Sequence, residues 1–197
     1  MTHVFPRNTR RKVARAAVVL AAVMTVWGCD DPLRIRADQT NVNQFFSVSA
    51  ITGTPTNAPV ALNLTNKAIT RLDGRFDFDI AFDLNAQGQI VILPIGLVGT
   101  PLGGAHLVGL LRHAGVFDSL TAAPKTGYVF DSSFVVAPGA VLAIQSQVTV
   151  CTGSLTPYVF AKLVIDSVRV ATRTLYGRTL INLNCGFRSL APGTPTF

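Results

Sequence analysis

The chain has 197 residues and a formal net charge of +7, from 17 lysines and arginines against 10 acidic residues. Five of the basic residues and none of the acids precede Cys29, so the remainder has 12 basic against 10 acidic residues, a net charge of +2. This small charge gives no support to nucleic-acid binding, and about 170 residues suit one domain with a buried core. All ten acids are aspartate, and the absence of glutamate favours a chain with little surface helix.

The first 28 residues predict an export signal. Five basic residues lie between Arg7 and Arg15, and an uncharged, mostly apolar stretch follows from Ala16 to Trp27. A basic start, a short apolar segment and a small residue before polar sequence are typical of secretory signal peptides. The apolar stretch is also shorter than the ~20 residues that a membrane-spanning helix needs. Residues 1–28 are therefore predicted to be a signal peptide.

The four residues Val26, Trp27, Gly28 and Cys29 resemble the lipobox of bacterial lipoprotein precursors. The lipobox usually has a small residue where this chain has Trp27. The resemblance implies cleavage before Cys29, lipid on that cysteine, and a place in the bacterial cell envelope, facing the periplasm or the cell exterior. Bacterial lipoproteins carry several acyl chains, which attach a protein stably to a membrane. Cleavage without lipid and an uncleaved anchor are the alternatives. Residues 29–43 are then a polar tether.

The other two cysteines form an even pair if Cys29 carries lipid. Outside the cytosol, Cys151 and Cys185 are expected to oxidise. Their bridge would close a loop of about 35 residues. Two buried free thiols are the alternative, whereas a zinc site is disfavoured because neither cysteine has a second cysteine or a histidine at ligand spacing. We therefore expect a Cys151–Cys185 disulfide.

Residues 44–190 are predicted to form a single all-β domain. Short runs of β-branched and aromatic residues are separated by glycine, proline and asparagine turns, which favours an antiparallel β-sandwich or barrel-like domain of about eight to ten strands. The last residues, 191–197, are predicted to be a flexible tail. The candidate strands are 44–51, 60–64, 67–72, 76–84, 90–94, 127–136, 141–150, 158–170 and 174–183.

The region 90–111 has no lysine, arginine or aspartate and could be read as a membrane span. The region is interrupted, however, by Pro94, Pro101 and five glycines. In a lone spanning helix these residues would leave main-chain hydrogen-bonding groups without partners. We therefore expect a buried strand, a Gly-Pro loop and a second strand or short helix at 105–113.

Strict alternation makes 76–84 the clearest strand. Its apolar residues are expected to be buried and its aspartates to lie on the opposite, solvated face. The strand follows Asp73-Gly74, a dipeptide typical of hairpin turns, and ends at a second turn, 85–88. The inward residues are Phe76, Phe78, Ile80, Phe82 and Leu84; the outward ones are Asp77, Asp79, Ala81 and Asp83.

Four residues in this region are weak candidates for metal binding: Asp77, Asp79, Asp83 and Asn85. The segment 83–88 resembles the first half of a calcium loop of the EF-hand type, but Pro94 stands where that family has its bidentate glutamate. Alternate aspartates on a strand lie roughly 6–7 Å apart, a spacing that could also serve a glycosidase. We favour a hairpin turn for the segment 83–88 and a solvated strand face for the aspartates. No metal or other cofactor is expected.

No residue is predicted to be catalytic. Only His106 and His113 follow Cys29, and no serine lies in a GxSxG elbow. We expect a lipid-anchored, non-enzymatic envelope protein whose β-sandwich has a binding or structural role through contacts with another envelope protein. An envelope carbohydrate-binding protein or an aspartate-dependent hydrolase is the alternative. The only tryptophan, Trp27, would be removed with the signal peptide. Because carbohydrate-binding surfaces often use tryptophan, its loss weakens both the carbohydrate-binding and the hydrolase hypotheses.

Overall fold

The computed structural model describes residues 37–72, 77–99, 107–148, 151 and 157–195. These residues form ten β-strands and no α-helix, which confirms the predicted all-β class. Every strand pair is antiparallel. The strands are β1 (Asn43–Ser49), β2 (Pro59–Asn63), β3 (Ala68–Arg71), β4 (Ile80–Leu84), β5 (Ile90–Pro94), β6 (Val108–His113), β7 (Phe134–Val136), β8 (Val141–Gln147), β9 (Tyr158–Arg169) and β10 (Thr174–Asn182).

The strands form two sheets of five. The first sheet has the order β1-β10-β9-β8-β6, and the second has the order β3-β2-β4-β5-β7. The main core is a cluster of buried apolar residues that both sheets contribute. Phe46 of β1 and Phe82 of β4 meet there, with ring centroids 5.7 Å apart. The structure is therefore a β-sandwich with two open sheets.

A second, smaller apolar cluster covers part of the outer face of the first sheet and encloses a lysine. Lys162 of β9 is 1% exposed, and its Nζ donates hydrogen bonds to the carbonyl oxygens of Phe117 (3.0 Å) and Leu120 (3.1 Å). The same Nζ lies 4.4 Å from the centroid of the Phe117 ring. Burial lowers the pKa of Lys162, against the opposing effect of Asp118. Through these hydrogen bonds, Lys162 holds residues 117–120 against the first sheet.

The disulfide between Cys151 and Cys185 is present. Cys151 follows β8 and Cys185 follows β10, so the bridge joins the ends of two strands that flank β9. Cys29 is the one cysteine that this bridge leaves over, and it lies outside the described residues.

The predicted solvated row of aspartates is wrong at Asp79. This residue is 1% exposed, and it lies in a bend before β4 begins, so strand alternation does not apply to it. Its carboxylate accepts a hydrogen bond from the Leu64 N–H (2.6 Å) and another from the hydroxyl of Ser146. Ser146 belongs to β8 in the opposite sheet, so Asp79 ties the two sheets together. Ala81, also predicted to face solvent, is fully buried.

The Asp73-Gly74 dipeptide falls outside the described residues, and the strands before and after it do not pair with each other. β3 and β4 lie on opposite sides of β2 instead of beside each other. The strand alternative for 105–113 is confirmed by β6, whereas the predicted strand 127–136 contains only the three-residue β7 and a single bridge at Val129.

Both ends of the predicted domain are held more tightly than expected. Within the predicted tether, the main chain of Asn41 exchanges two hydrogen bonds with that of Gly193 (2.9 and 3.0 Å). Gly193 belongs to the segment predicted to be a flexible tail. Asn184 adds a second link, since its side-chain oxygen accepts the N–H groups of Asp38 and Gln39. No helix among the described residues is long and apolar enough to cross a bilayer.

Candidate functional site

The edges of the two sheets differ in how they are protected. An edge strand presents unpaired N–H and C=O groups that can pair with another chain, and proteins usually guard such edges with charges, short strands or covering segments. The four edge strands are β1 and β6 in the first sheet and β3 and β7 in the second. Three of them carry such protection.

The side formed by β6 and β7 is covered. Leu110 of β6 exchanges two main-chain hydrogen bonds of 2.9 Å with Val129, which occupies part of the strand's outer edge. Arg112 of β6 reaches across to β7, where it donates to the carbonyl of Val135 and lies over the Phe134 ring at 5.6 Å. β7 has only three residues. This side therefore offers little free main chain.

On the other side, β3 is short and flanked by charge. It has four residues, ends in the exposed Arg71, and is preceded directly by Lys67. Short length and cationic flanks are the usual protection of an edge strand.

β1 has none of these features. Its seven residues, NQFFSVS, contain no charge and no proline. Phe45, at 82% exposed, is the most exposed large hydrophobic residue of the described chain. β1 pairs with β10 on one side, and no described strand pairs with its other side. Within the described residues, β1 is therefore the unguarded edge of the sandwich.

The register shows which main-chain groups point outward. Ala50 donates its N–H to Arg173, the residue opposite it, which makes the even-numbered residues of β1 the ones that bond to β10. The odd-numbered residues consequently direct their N–H and C=O groups away from the sheet. Asn41 and Ile51 fit this pattern, since they bond to Gly193 and Phe82 respectively.

The contacts of Asn41 and Ile51 occupy the outward main-chain groups at the two ends of β1, and the outward groups between them have no partner in the described chain. Between Asn41 and Ile51, no residue of the described chain is paired with the outward main-chain groups. Four donors and four acceptors lie in this row. They belong to Asn43, Phe45, Ser47 and Ser49.

A groove of about 430 Å³ opens between the sheets beside β1. Phe46 and Thr179 contribute from the first sheet, and Leu62 and Ile69 contribute from the second. Lys67, in the turn between β2 and β3, completes the lining and gives the groove a cation. The groove can therefore accept an apolar group next to a negative charge.

The backbone and charge of Lys67 are both unusual. Its φ is 50°, in the left-handed region that favours glycine or asparagine. A lysine therefore has a higher conformational energy there than either of those residues would have. The ion pairs among the described residues are Arg173–Asp83 (3.3 Å) and Arg178–Asp166 (2.9 Å). Neither involves Lys67, whose charge has no carboxylate partner in the described chain.

The four weak metal candidates are engaged in separate structural tasks. Asp77 is exposed and accepts a hydrogen bond from the side chain of Asn63 (3.0 Å), while Asp79 is the buried link between the sheets. Asn85 uses its side-chain oxygen to accept the N–H groups of Gln87 (3.0 Å) and Gln89 (2.9 Å), which fixes the hairpin turn between β4 and β5. No group of three metal-ligating side chains occurs within the described ranges.

Asp83 anchors a contact between the sheets. Its carboxylate accepts hydrogen bonds from the hydroxyl (2.7 Å) and N–H (3.0 Å) of Thr52 and pairs with Arg173. Burial alone would raise the pKa of Asp83, but hydrogen bonds from Thr52, Leu84 and Arg173 outweigh burial and hold the pKa below 3.8. Asp83 therefore has three partners within the protein.

His113 is the one histidine after Cys29 that the structure describes, and it contacts a serine. Its Nε2 lies 3.0 Å from Ser119 Oγ, and that hydroxyl donates to the carbonyl of Val116 (2.7 Å). The Val116 carbonyl is thus the acceptor for the Ser119 hydroxyl, so this serine is held by the main chain of its own loop. His106 lies outside the described residues.

The residues of the open edge were not identified as a site by sequence reasoning. The absence of charge from 43–49 is visible in the sequence, but it becomes informative only once β1 is known to be an edge strand. Comparison with protein-family models, curated proteins and solved structures finds no match to this chain.

Proposed function

We propose that this chain is a lipid-anchored, non-enzymatic protein of the bacterial envelope whose β-sandwich binds another protein at the membrane surface. The observation that carries this proposal is the unguarded β1 edge, with exposed Phe45 and four outward pairs of main-chain groups. Proteins normally protect such an edge against association, and this domain protects its other three.

The proposed anchor is supported by the sequence and by the cysteine pairing. The segment 26–29 resembles a lipobox, and the Cys151–Cys185 bridge leaves Cys29 as the remaining thiol for lipid. We expect the intact mass of protein purified from membranes to begin at Cys29 and to include acyl chains. A mass that includes residues 1–28, or one without acyl chains, would contradict the anchor.

The structural tasks of the aspartates argue against the hydrolase alternative. A glycosidase needs two carboxyl groups facing one substrate, one kept protonated and one ionised. Here Asp79 is enclosed between the sheets and Asp83 is tied to Thr52 and Arg173. A binding role places no such demand on these residues.

Site-specific photo-cross-linking in intact cells tests the binding surface. A photoreactive phenylalanine analogue replaces Phe45 in one variant and Val170, which is 57% exposed, in the control. Both sites are apolar and accessible, but only Phe45 lies on β1. We expect discrete cross-linked proteins from position 45 at several times the yield from position 170. Equal patterns from the two positions would reject the β1 edge as the binding surface.

A further inference from the structure

We propose that β1 binds its partner by strand addition: an extended segment of the partner pairs with the outward main chain of β1, and an acidic residue of that segment faces Lys67. This inference rests on the proposed binding function and specifies its mode. It identifies the partner by chemistry, as an extended segment with apolar residues at alternate positions and negative charge.

The main chain of β1 has the length and pattern for an added strand. The outward groups recur at every second residue, which corresponds to roughly 6.8 Å along a strand. From Asn43 to Ser49 they span roughly 20 Å, enough for about seven residues of an added strand. The contacts at Asn41 and Ile51 mark the two ends of this span. Strand addition of this kind derives affinity from main-chain hydrogen bonds and specificity from alternate side chains.

The two faces of the added strand would meet different surroundings. On the outer face its side chains lie beside Phe45, an aromatic residue that gains from cross-strand contact. On the inner face they lie over the groove, next to Phe46 and Ile69. An extended segment with apolar residues at alternate positions therefore fits the inner face, and a further apolar or β-branched side chain fits beside Phe45.

Charge selects an acidic partner over a second copy of this chain. Lys67 lines the groove without a carboxylate partner among the described residues, and β1 has no acid of its own. Pairing of β1 with β1 across a two-fold axis would bring together two copies of an uncharged strand, each accompanied by its own Lys67. It would supply no negative charge, whereas an acidic segment supplies it directly.

Synthetic peptides test the pairing on the full chain purified from membranes. The probe is a seven-residue peptide of alternating valine and threonine with an aspartate at each end. Two further peptides carry N-methyl groups, one on the odd and one on the even amides. A strand directs only one of these sets towards β1. We expect one N-methylated peptide to lose at least tenfold in affinity and the other to bind within threefold of the parent peptide. Equal affinity of all three peptides, or no binding of the parent peptide, would overturn strand addition.

Two protein variants locate the site. Ser47→Pro removes an N–H that points away from β10, so it spares the ladder of the sheet while blocking an added strand. Lys67→Asn removes the charge with a residue that tolerates positive φ, and Lys125→Asn, an exposed lysine outside the groove, is the matched control. We expect Ser47→Pro and Lys67→Asn to weaken the parent peptide at least fivefold and Lys125→Asn to leave it unchanged. Equal effects of the two lysine variants would reject the acidic contact.

The outcomes separate this inference from the proposed function. Cross-linking at Phe45 with no peptide binding would retain protein binding and reject strand addition. If sedimentation shows a dimer of the wild-type chain and a monomer of Ser47→Pro, β1 pairs with a second copy of this chain and the acidic partner is rejected. Because the N-methylated peptides are measured on the wild-type chain, their result stands even if Ser47→Pro fails to fold.

Discussion

Removal of the Cys151–Cys185 bridge should cost a large part of the stability of this domain. The two cysteines are 34 residues apart in sequence, and the bridge restricts the unfolded chain by closing that loop. The chain-entropy relation gives about 4 kcal/mol at 25 °C for a loop of this size. The double variant Cys151→Ala/Cys185→Ala also loses buried sulfur contacts, because Cys151 is buried, so we expect about 4–5 kcal/mol for the variant.

Urea unfolding followed by far-UV circular dichroism measures this change. Wild-type protein is compared with and without a phosphine reductant, and the double variant is measured in parallel. With a slope of about 2 kcal/mol/M, a loss of 4 kcal/mol lowers the midpoint by about 2 M. The reductant should not alter the double variant, which controls for effects of the reductant itself.

A loss of less than about 1 kcal/mol, in wild-type protein whose bridge is shown by mass to be fully reduced, would contradict this expectation. Such a result would mean that the unfolded chain is already restricted between these two positions, so that the loop entropy does not appear.

Two further predictions concern buried polar groups. Lys162→Met should remove a pH dependence of the free energy of unfolding. Burial lowers the pKa of Lys162, so the unfolded state binds more protons than the folded state as the pH approaches 10.5. The stability of the wild-type protein should therefore rise with pH relative to that of the variant. Urea unfolding from pH 7 to 10 checks this, and parallel curves for the two proteins would contradict it. Asp79→Ala removes the acceptor of the Leu64 N–H and the Ser146 hydroxyl and should cost about 2–4 kcal/mol, against less than about 1 kcal/mol for the exposed Asp77→Ala. Thermal unfolding of both variants compares them, and equal losses would argue against the link between the sheets.

Local sequence patterns predicted most of the strands. β5, β9 and β10 lie close to the predicted boundaries because β-branched and aromatic runs end there at turn residues. The turn 85–88 was predicted by its residues, and Asn85 accounts for it through hydrogen bonds within four positions of itself. These features depend on interactions between near neighbours, which a sequence displays directly.

Features set by distant residues were not predictable in this way. The environment of Asp79 depends on Ser146 of the opposite sheet, and the order of β3, β2 and β4 depends on which strands pair. A strand's alternation gives its two faces but does not show which of its long edges has a neighbour. The open edge of β1 follows from topology and could be recognised only after the sheets were known.

The pairing of β1 with β10 also imposes an order on the assembly of the first sheet. A chain is made from its N-terminus, so among the ten described strands β1 is made first and β10, its only strand neighbour in the described chain, is made last. Strands β2 to β5 form four neighbouring positions of the second sheet and can pair long before then. Non-local pairing of this kind is slow to form. The first sheet is thus complete only once β10 is present. A product truncated before β10 would leave β1 with no strand neighbour in the described chain, and so prone to aggregation or proteolysis.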